Sequence, residues 1–194
     1  MKLSRQARRL LAAAVLALGC VGEVAALDVG ELMTTLAHST HGAATFTEKK
    51  YLAILDAPVE SSGELRFVPP ARLEKLTLKP SRERLVLDGD VLTVERGRRT
   101  HVLALKDYPE VAGMIESIRA TLAGDRSALE RVYRLSVSGS RARWSLALVP
   151  LDVRIARVVA RIRIDGAEGE VRTVEIVQAD GDRSVMTVEK AAAP

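Results

Sequence analysis

The sequence predicts a mainly β protein, an antiparallel meander of about eleven short strands interrupted by two or three helices. Three observations point there. Short runs rich in branched and aliphatic residues recur, separated by Gly, Pro, Ser or Asp about every 8–12 residues. Within those runs apolar residues alternate with polar ones, which gives each strand one side to bury. Only around residues 28–40 and 108–132 does the apolar spacing switch to the helical period.

Before the first element, residues 1–26 read as an export signal. Lys2, Arg5, Arg8 and Arg9 precede the apolar run LLAAAVLALGCVG, and Val24-Ala25-Ala26 suits cleavage after Ala26. That run is shorter than the roughly 20 residues a membrane-spanning helix needs. Cys20, the only cysteine, falls inside it, so a mature chain would carry no thiol or disulfide, which fits a bacterial periplasm. ALGC also carries the alternative of lipid attachment at Cys20, although Ala17 stands where such signals usually have a branched residue. The mature chain is read as one domain over residues 27–190, with 191–194 as a frayed tail.

The first helix, DVGELMTTLAHST, takes Asp28 as cap and Glu31 at the capping-box position, with Val29, Leu32, Met33 and Leu36 on one face. Six strands follow in ATFTEKKYLAIL, SGELRFV, RLEKLTLK, RERLVLD, DVLTVERG and RTHVLALKDY. A second helix, YPEVAGMIESIRATLAGD, starts at Pro109, stops at Gly124 and aligns Val111, Met114, Ile115, Ile118 and Leu122. DRSALERV extends it with Asp125 as cap. Five more strands run through VYRLSVSG, RARWSLALVP, RIARVVARIRI, EVRTVEIVQ and RSVMTVEK.

Alternation then assigns sides. Leu65 goes with Phe67, Leu76 with Leu78, Trp144 with Leu146 and Leu148, and Val158 with Ile162 and Ile164, while Arg157, Arg161 and Arg163 form the opposite face, read as solvated, with a nucleic-acid or anionic-lipid patch as the alternative. The two Asp-Gly-Asp triplets, Asp88-Gly89-Asp90 and Asp180-Gly181-Asp182, read as hairpin turns, because Asp-Gly supplies the positive φ a tight turn requires. They lack the further oxygen ligands of a calcium loop.

Chemistry is sparse. Removing four of the 29 basic and one of the 25 acidic residues with the signal leaves 25 against 24, so the mature chain lacks the clustered positive charge of a nucleic-acid binder. The three histidines, His38, His41 and His101, complete neither a zinc site nor an evident triad. No Gly-x-Ser-x-Gly elbow or phosphate-cradling glycine loop is present. An aliphatic, one-sided sheet with one apolar helix fits either a filled core or a cavity for a hydrophobic ligand.

The order of motifs carries more information. Phe46-Thr47-Glu48-Lys49, then Gly63, Leu65 and Pro70 in GELRFVPPARL, then Pro80 and Leu87-Asp88-Gly89, then VEIVQADGDRS resembles the LolA family of periplasmic lipoprotein carriers over roughly Asp28 to Glu189. The resemblance implies an incomplete antiparallel β-barrel with helices covering its concave face, and a non-catalytic carrier that takes acyl chains of lipoprotein or lipid cargo. Phe46, Leu65, Phe67, Leu76, Leu78, Leu92, Val94, Trp144, Leu146 and Leu148 would line the cargo cavity, under a lid carrying Leu32, Leu36, Met114, Ile118 and Leu122. It further implies a monomer that takes cargo from an inner-membrane donor complex and passes it to an outer-membrane acceptor, with no cofactor, metal or nucleic acid. Pro69 stands where better-known carriers have an arginine latch, and Arg66, Lys75 and Thr93 replace residues often aromatic there. These departures admit an alternative, a non-catalytic envelope scaffold or accessory protein of the same fold dedicated to one export or biosynthetic system.

Overall fold

The computed structural model describes residues 27–39, 42–69 and 71–191. The expected export signal with Cys20, and His41, Pro70 and the last three residues, lie outside the described residues. Helix α1 (Val29–Ala37) opens the described chain. Its capping box forms as the spacing predicts: Glu31 N–H donates to Asp28 Oδ1 at 3.0 Å and Asp28 N–H donates to Glu31 Oε2 at 3.3 Å.

Six strands follow: β1 (Ala43–Tyr51), β2 (Val59–Val68), β3 (Arg72–Lys79), β4 (Glu83–Asp88), β5 (Val91–Arg96) and β6 (Arg99–Ala104). A 3-10 turn (Leu105–Asp107), α2 (Pro109–Ala123) and α3 (Arg126–Glu130) lead to β7 (Tyr133–Ser140) and β8 (Arg143–Pro150). The one-turn helix α4 (Val153–Ala156) then precedes β9 (Val159–Ala167), β10 (Glu170–Gln178) and β11 (Arg183–Lys190).

All eleven strands belong to one antiparallel sheet, in the order β6-β5-β4-β3-β2-β1-β11-β10-β9-β8-β7. The last strand inserts beside the first, and β6 and β7 remain as unjoined edges. The sheet is therefore an incomplete barrel, as expected. Both Asp-Gly-Asp triplets make turns: Asp88 pairs with Val91 around Gly89, at φ 56°, and Gly181, at φ 95°, bends the chain between β10 and β11.

Register decides which side chains face inward. Val137, Leu146, Ile164, Val174, Met186 and Glu48 form one continuous cross-strand row on the concave face. The core fills only part of that face. Trp144, Leu146, Leu148, Val159, Ile162 and Ile164 pack beneath Leu32, Met33 and Leu36 of α1, Leu129 of α3 and Ile155 of α4. Trp144 lies across from Gly166, where a Cβ would collide with the indole, and its Nε1–H donates to the Glu168 carbonyl at 2.9 Å.

Helix α2 does not bury the stripe its periodicity marks. Its fully buried residues are the small ones, Ser117, Ala120 and Thr121. Gly113 presses against Ile155, and Gly124, left-handed at φ 67°, against Ala37 and the Met33 carbonyl. The hydroxyls cost little when buried, because Ser117 donates to the Met114 carbonyl at 2.6 Å and Thr121 to the Ser117 carbonyl at 2.7 Å.

Two assignments of side are corrected. Leu76 and Leu78 point to the convex face, and Leu78 is 43 % exposed. The run RLEKLTLK fits either phase, and pairing of Phe67 with Leu73 and of Leu65 with Lys75 selects the one that turns Leu73, Lys75 and Thr77 inward. Val158 is exposed and Val159 buried, because α4 occupies residues expected to extend β9 and the register shifts between Val177 and Gln178. Val86 lies on the convex side of β4, opposite to Leu85 and Leu87.

Gly63 faces Phe46 across β1 and β2 at a register shift, where a Cβ would run into the Leu76 carbonyl oxygen. Gly63→Ala is therefore expected to cost about 1–3 kcal/mol by overpacking. Urea unfolding checks this: the midpoint should fall with the slope unchanged.

Candidate functional site: an apolar cavity between sheet and helices

The uncovered part of the concave face bounds a cavity of about 910 Å³. Its floor is built by alternate residues of neighbouring strands: Leu65 and Phe67 of β2, Leu73 of β3, Leu85 and Leu87 of β4, and Leu92 of β5. The opposite wall comes from the other half of the sheet, through Ile164, Val174, Ile176, Met186 and Val188. Its roof is the apolar stripe of α2, Met114, Ile115, Ile118 and Leu122, with Leu36 of α1. That stripe stays half-buried because α2 packs through its small residues instead.

Charged groups gather at the margin. Glu170 holds Arg172 at 2.6 Å and Lys190 at 3.3 Å, and the ring of His38 lies 2.7 Å from the Thr34 carbonyl. At the floor's edge Lys75 Nζ lies 2.6 Å from Glu48 Oε2 and 4.7 Å from the centre of the Phe46 ring. Burial by itself would raise the Glu48 carboxyl, but the charge and hydrogen bond of Lys75, helped by Lys50 and Ser184, hold it below the ordinary value of 4.5. A small polar recess of about 150 Å³ adjoins this pair, and Glu83–Arg96 pairs within it.

Of the residues expected to line a cargo cavity, Leu65, Phe67 and Leu92 do, as do Leu36, Met114, Ile118 and Leu122 of the expected lid. Leu76 and Leu78 face the other way. Trp144, Leu146, Leu148 and Leu32 lie within the filled core. Phe46 is also fully buried, beneath Lys75, and Val94 sits on the concave face beside His101, outside the cavity walls. Sequence reasoning missed Leu87, Ile115, Ile164, Val174, Ile176, Met186 and Val188 as walls. Period-two alternation in EVRTVEIVQ and RSVMTVEK was the available signal for those of β10 and β11.

Among the described residues no group of three or more His, Cys, Asp or Glu gathers as metal ligands, and no helix is long and apolar enough to cross a membrane. What the geometry offers is a large apolar surface fringed by charge. The model for outer membrane lipoprotein carrier protein LolA-like proteins matches residues 21–193. The chain belongs to this LolA-like family.

No curated protein matches the chain at a significant level. Among solved structures, the LolA superfamily protein NE2245 from Nitrosomonas europaea is 9 % identical, with a TM-score of 0.43 over 87 % of this chain and 96 % of that one. MucB is 19 % identical, with a TM-score of 0.47 over 86 % of this chain and 60 % of that one. LprF from Mycobacterium bovis is 11 % identical, with a TM-score of 0.40 over 86 % and 93 %. The LolA-like chain thus spans about 60 % of the length of MucB. At these scores the structural matches add nothing to the family assignment.

The Glu48–Lys75 pair gives a direct test of how the cavity edge is held. Lys75→Met should cost on the order of 3 kcal/mol, because it leaves a buried carboxylate with only the distant ammonium of Lys50, at 3.9 Å, and hydroxyls to hold it, and Glu48→Gln/Lys75→Met should recover most of the loss. Since the Glu48 pKa is lowered by folding, its contribution is present above the unfolded carboxyl value and is lost as pH falls through the folded one. Urea midpoints measured from neutral to acid pH should fall more steeply for the wild type than for the double variant.

Proposed function

We propose that this LolA-like protein is a periplasmic carrier that shelters acyl chains of lipoproteins, or of a related lipid, in the cavity between sheet and helices. One observation carries the reading: large side chains of α2 and of the facing strands β2–β5 and β9–β11, many of them only partly buried, line one common apolar space. A volume of about 910 Å³ lies near the top of the ~300–1,000 Å³ range of small-molecule sites. Enclosing an acyl chain is worth about 0.8 kcal/mol per methylene. A dozen methylenes therefore supply on the order of 10 kcal/mol with no reactive group involved.

Family membership and the signal-like first 26 residues support export and a role in moving cargo from an inner-membrane donor to an outer-membrane acceptor. The charged margin of Glu170, Arg172 and Lys190 suits the polar end of an acylated molecule, which would stay in water at the mouth.

Protein purified from the periplasm should bring acyl-bearing lipid or lipoprotein with it, detectable by mass spectrometry. Ile118→Glu places a charge in the cavity roof and should lower binding of a fluorescent fatty-acid probe at least tenfold, with a normal circular dichroism spectrum. Wild-type protein that carries no acyl cargo and ignores the probe would leave the accessory-protein alternative.

A further inference from the structure

At the end of the sheet where β8 meets β9, the chain exposes what it would be expected to hide. Of the bulky aliphatics Val149, Leu151, Val153, Ile155 and Val158, only Ile155 is buried, while Val153 is 70 % and Leu151 51 % exposed. Ile155 is fixed against Gly113 of α2, so α4 is anchored by one residue and turns Val153 outward. Ile54, on the loop between β1 and β2, is 89 % exposed at the same end.

These two tips are tied together. Ala53 N–H donates to Asp182 Oδ1 at 2.8 Å, and Ala179 N–H of the same β10–β11 turn donates to the Val158 carbonyl at 2.9 Å. From β1 to β9 the rim crosses three strand intervals, roughly 15 Å at the usual spacing.

Arginines lie among the tips. Arg134 stands directly across from Val149, Arg157 caps α4, and Arg161 follows on β9. All three are exposed, and none has an ion pair among the described residues. Of the acids at this end one is neutralised by an arginine, and the others, which keep their charge, sit on the β1–β2 and β10–β11 tips, away from the arginines of β7 and β9. Asp152 is held by Arg154 at 2.6 Å, Asp180 accepts the Asp182 N–H at 3.0 Å, and Asp182 is tied to Ala53. Asp56 lies exposed on the Ile54 loop.

We propose that this rim docks on a bilayer containing anionic phospholipid. The tips are aliphatic and project from turns, where they can enter the acyl boundary. The unpaired guanidiniums between them match a layer of phosphates, to which arginine binds in bidentate fashion while its stem stays on apolar surface. A protein partner would be met by aromatic anchors set in pockets, and Val149, Leu151, Val153, Val158 and Ile54 form neither. The inference goes beyond the cargo reading and does not depend on a filled cavity.

The experiment uses the exported full chain carrying Cys20→Ser, so that no acyl anchor can form. It is sedimented with vesicles of phosphatidylcholine alone or with added phosphatidylglycerol. Association is expected at least tenfold more strongly with the anionic vesicles, and it should fall as salt is raised. Ile54→Ser/Val153→Ser should weaken it tenfold or more, and Arg134→Gln/Arg157→Gln by roughly fivefold per arginine. All these side chains are exposed, so circular dichroism spectra should not change. Ile118→Glu should bind vesicles like wild type, which separates failure of docking from failure of the cargo reading. Equal or absent association with both vesicle types, or rim variants that bind like wild type, would overturn the proposal. So would binding of the rim to polyglutamate without binding to vesicles.

Discussion

The pairing of β1 with β11 is the constraint on which the rest of the molecule depends. Eight residue pairs, from Ala44 opposite Lys190 to Tyr51 opposite Arg183, join the first and last of the described strands in the middle of the sheet. Without that ladder the protein would be two separate meanders. With it, alternation carries through from β7 to β6, and one face of all eleven strands looks inward. The cavity lies across this junction, and its floor and far wall come from opposite sides of it. Contacts so distant in sequence make loop closure expensive early in folding, so the cavity forms only when the whole sheet does.

Across the concave face, packing and vacancy are divided by a simple choice of residue size. Where β7–β10 meet α1, α3 and α4, large side chains interlock and exclude water. Where α2 passes over the remaining strands, its closest contacts are made by Gly113, Ser117, Ala120 and Thr121 and by the capping Gly124, while Met114 and Ile118 touch the core with part of their surface and, with Leu122, line the cavity with the rest. Helix burial is usually governed by the apolar stripe, and here much of the stripe lines the cavity. The Glu48–Lys75 pair marks the far limit of that space, since an apolar chain gains nothing by extending onto paired charges.

Much of this was legible in the sequence. Turn residues and period-two runs marked all eleven strands, and the Asp28–Glu31 box and the Pro109–Gly124 bracket fixed two helices, because those signals are local. Side assignments failed where local pattern is degenerate. RLEKLTLK offers leucines in both phases, and only long-range pairing with Phe67 and Glu48 chooses Leu73 and Lys75. Helix α4 escaped notice because four residues are too few to show a period. Whether an inward residue meets a neighbour or a void is also invisible to alternation: Leu146 and Leu92 read alike, yet one is in the core and the other on a cavity wall.

The unjoined edges at β6 and β7 have one further meaning. A closed barrel fixes its radius through strand number and shear, so enlarging it would break hydrogen bonds. Here the two edges are linked only by a 3-10 turn and two helices. A small change in twist, spread over ten strand pairs, can part or approach them with every ladder intact. Closure of the sheet therefore sets no limit on the volume inside, which is determined by how the helices bridge the gap between the two edges.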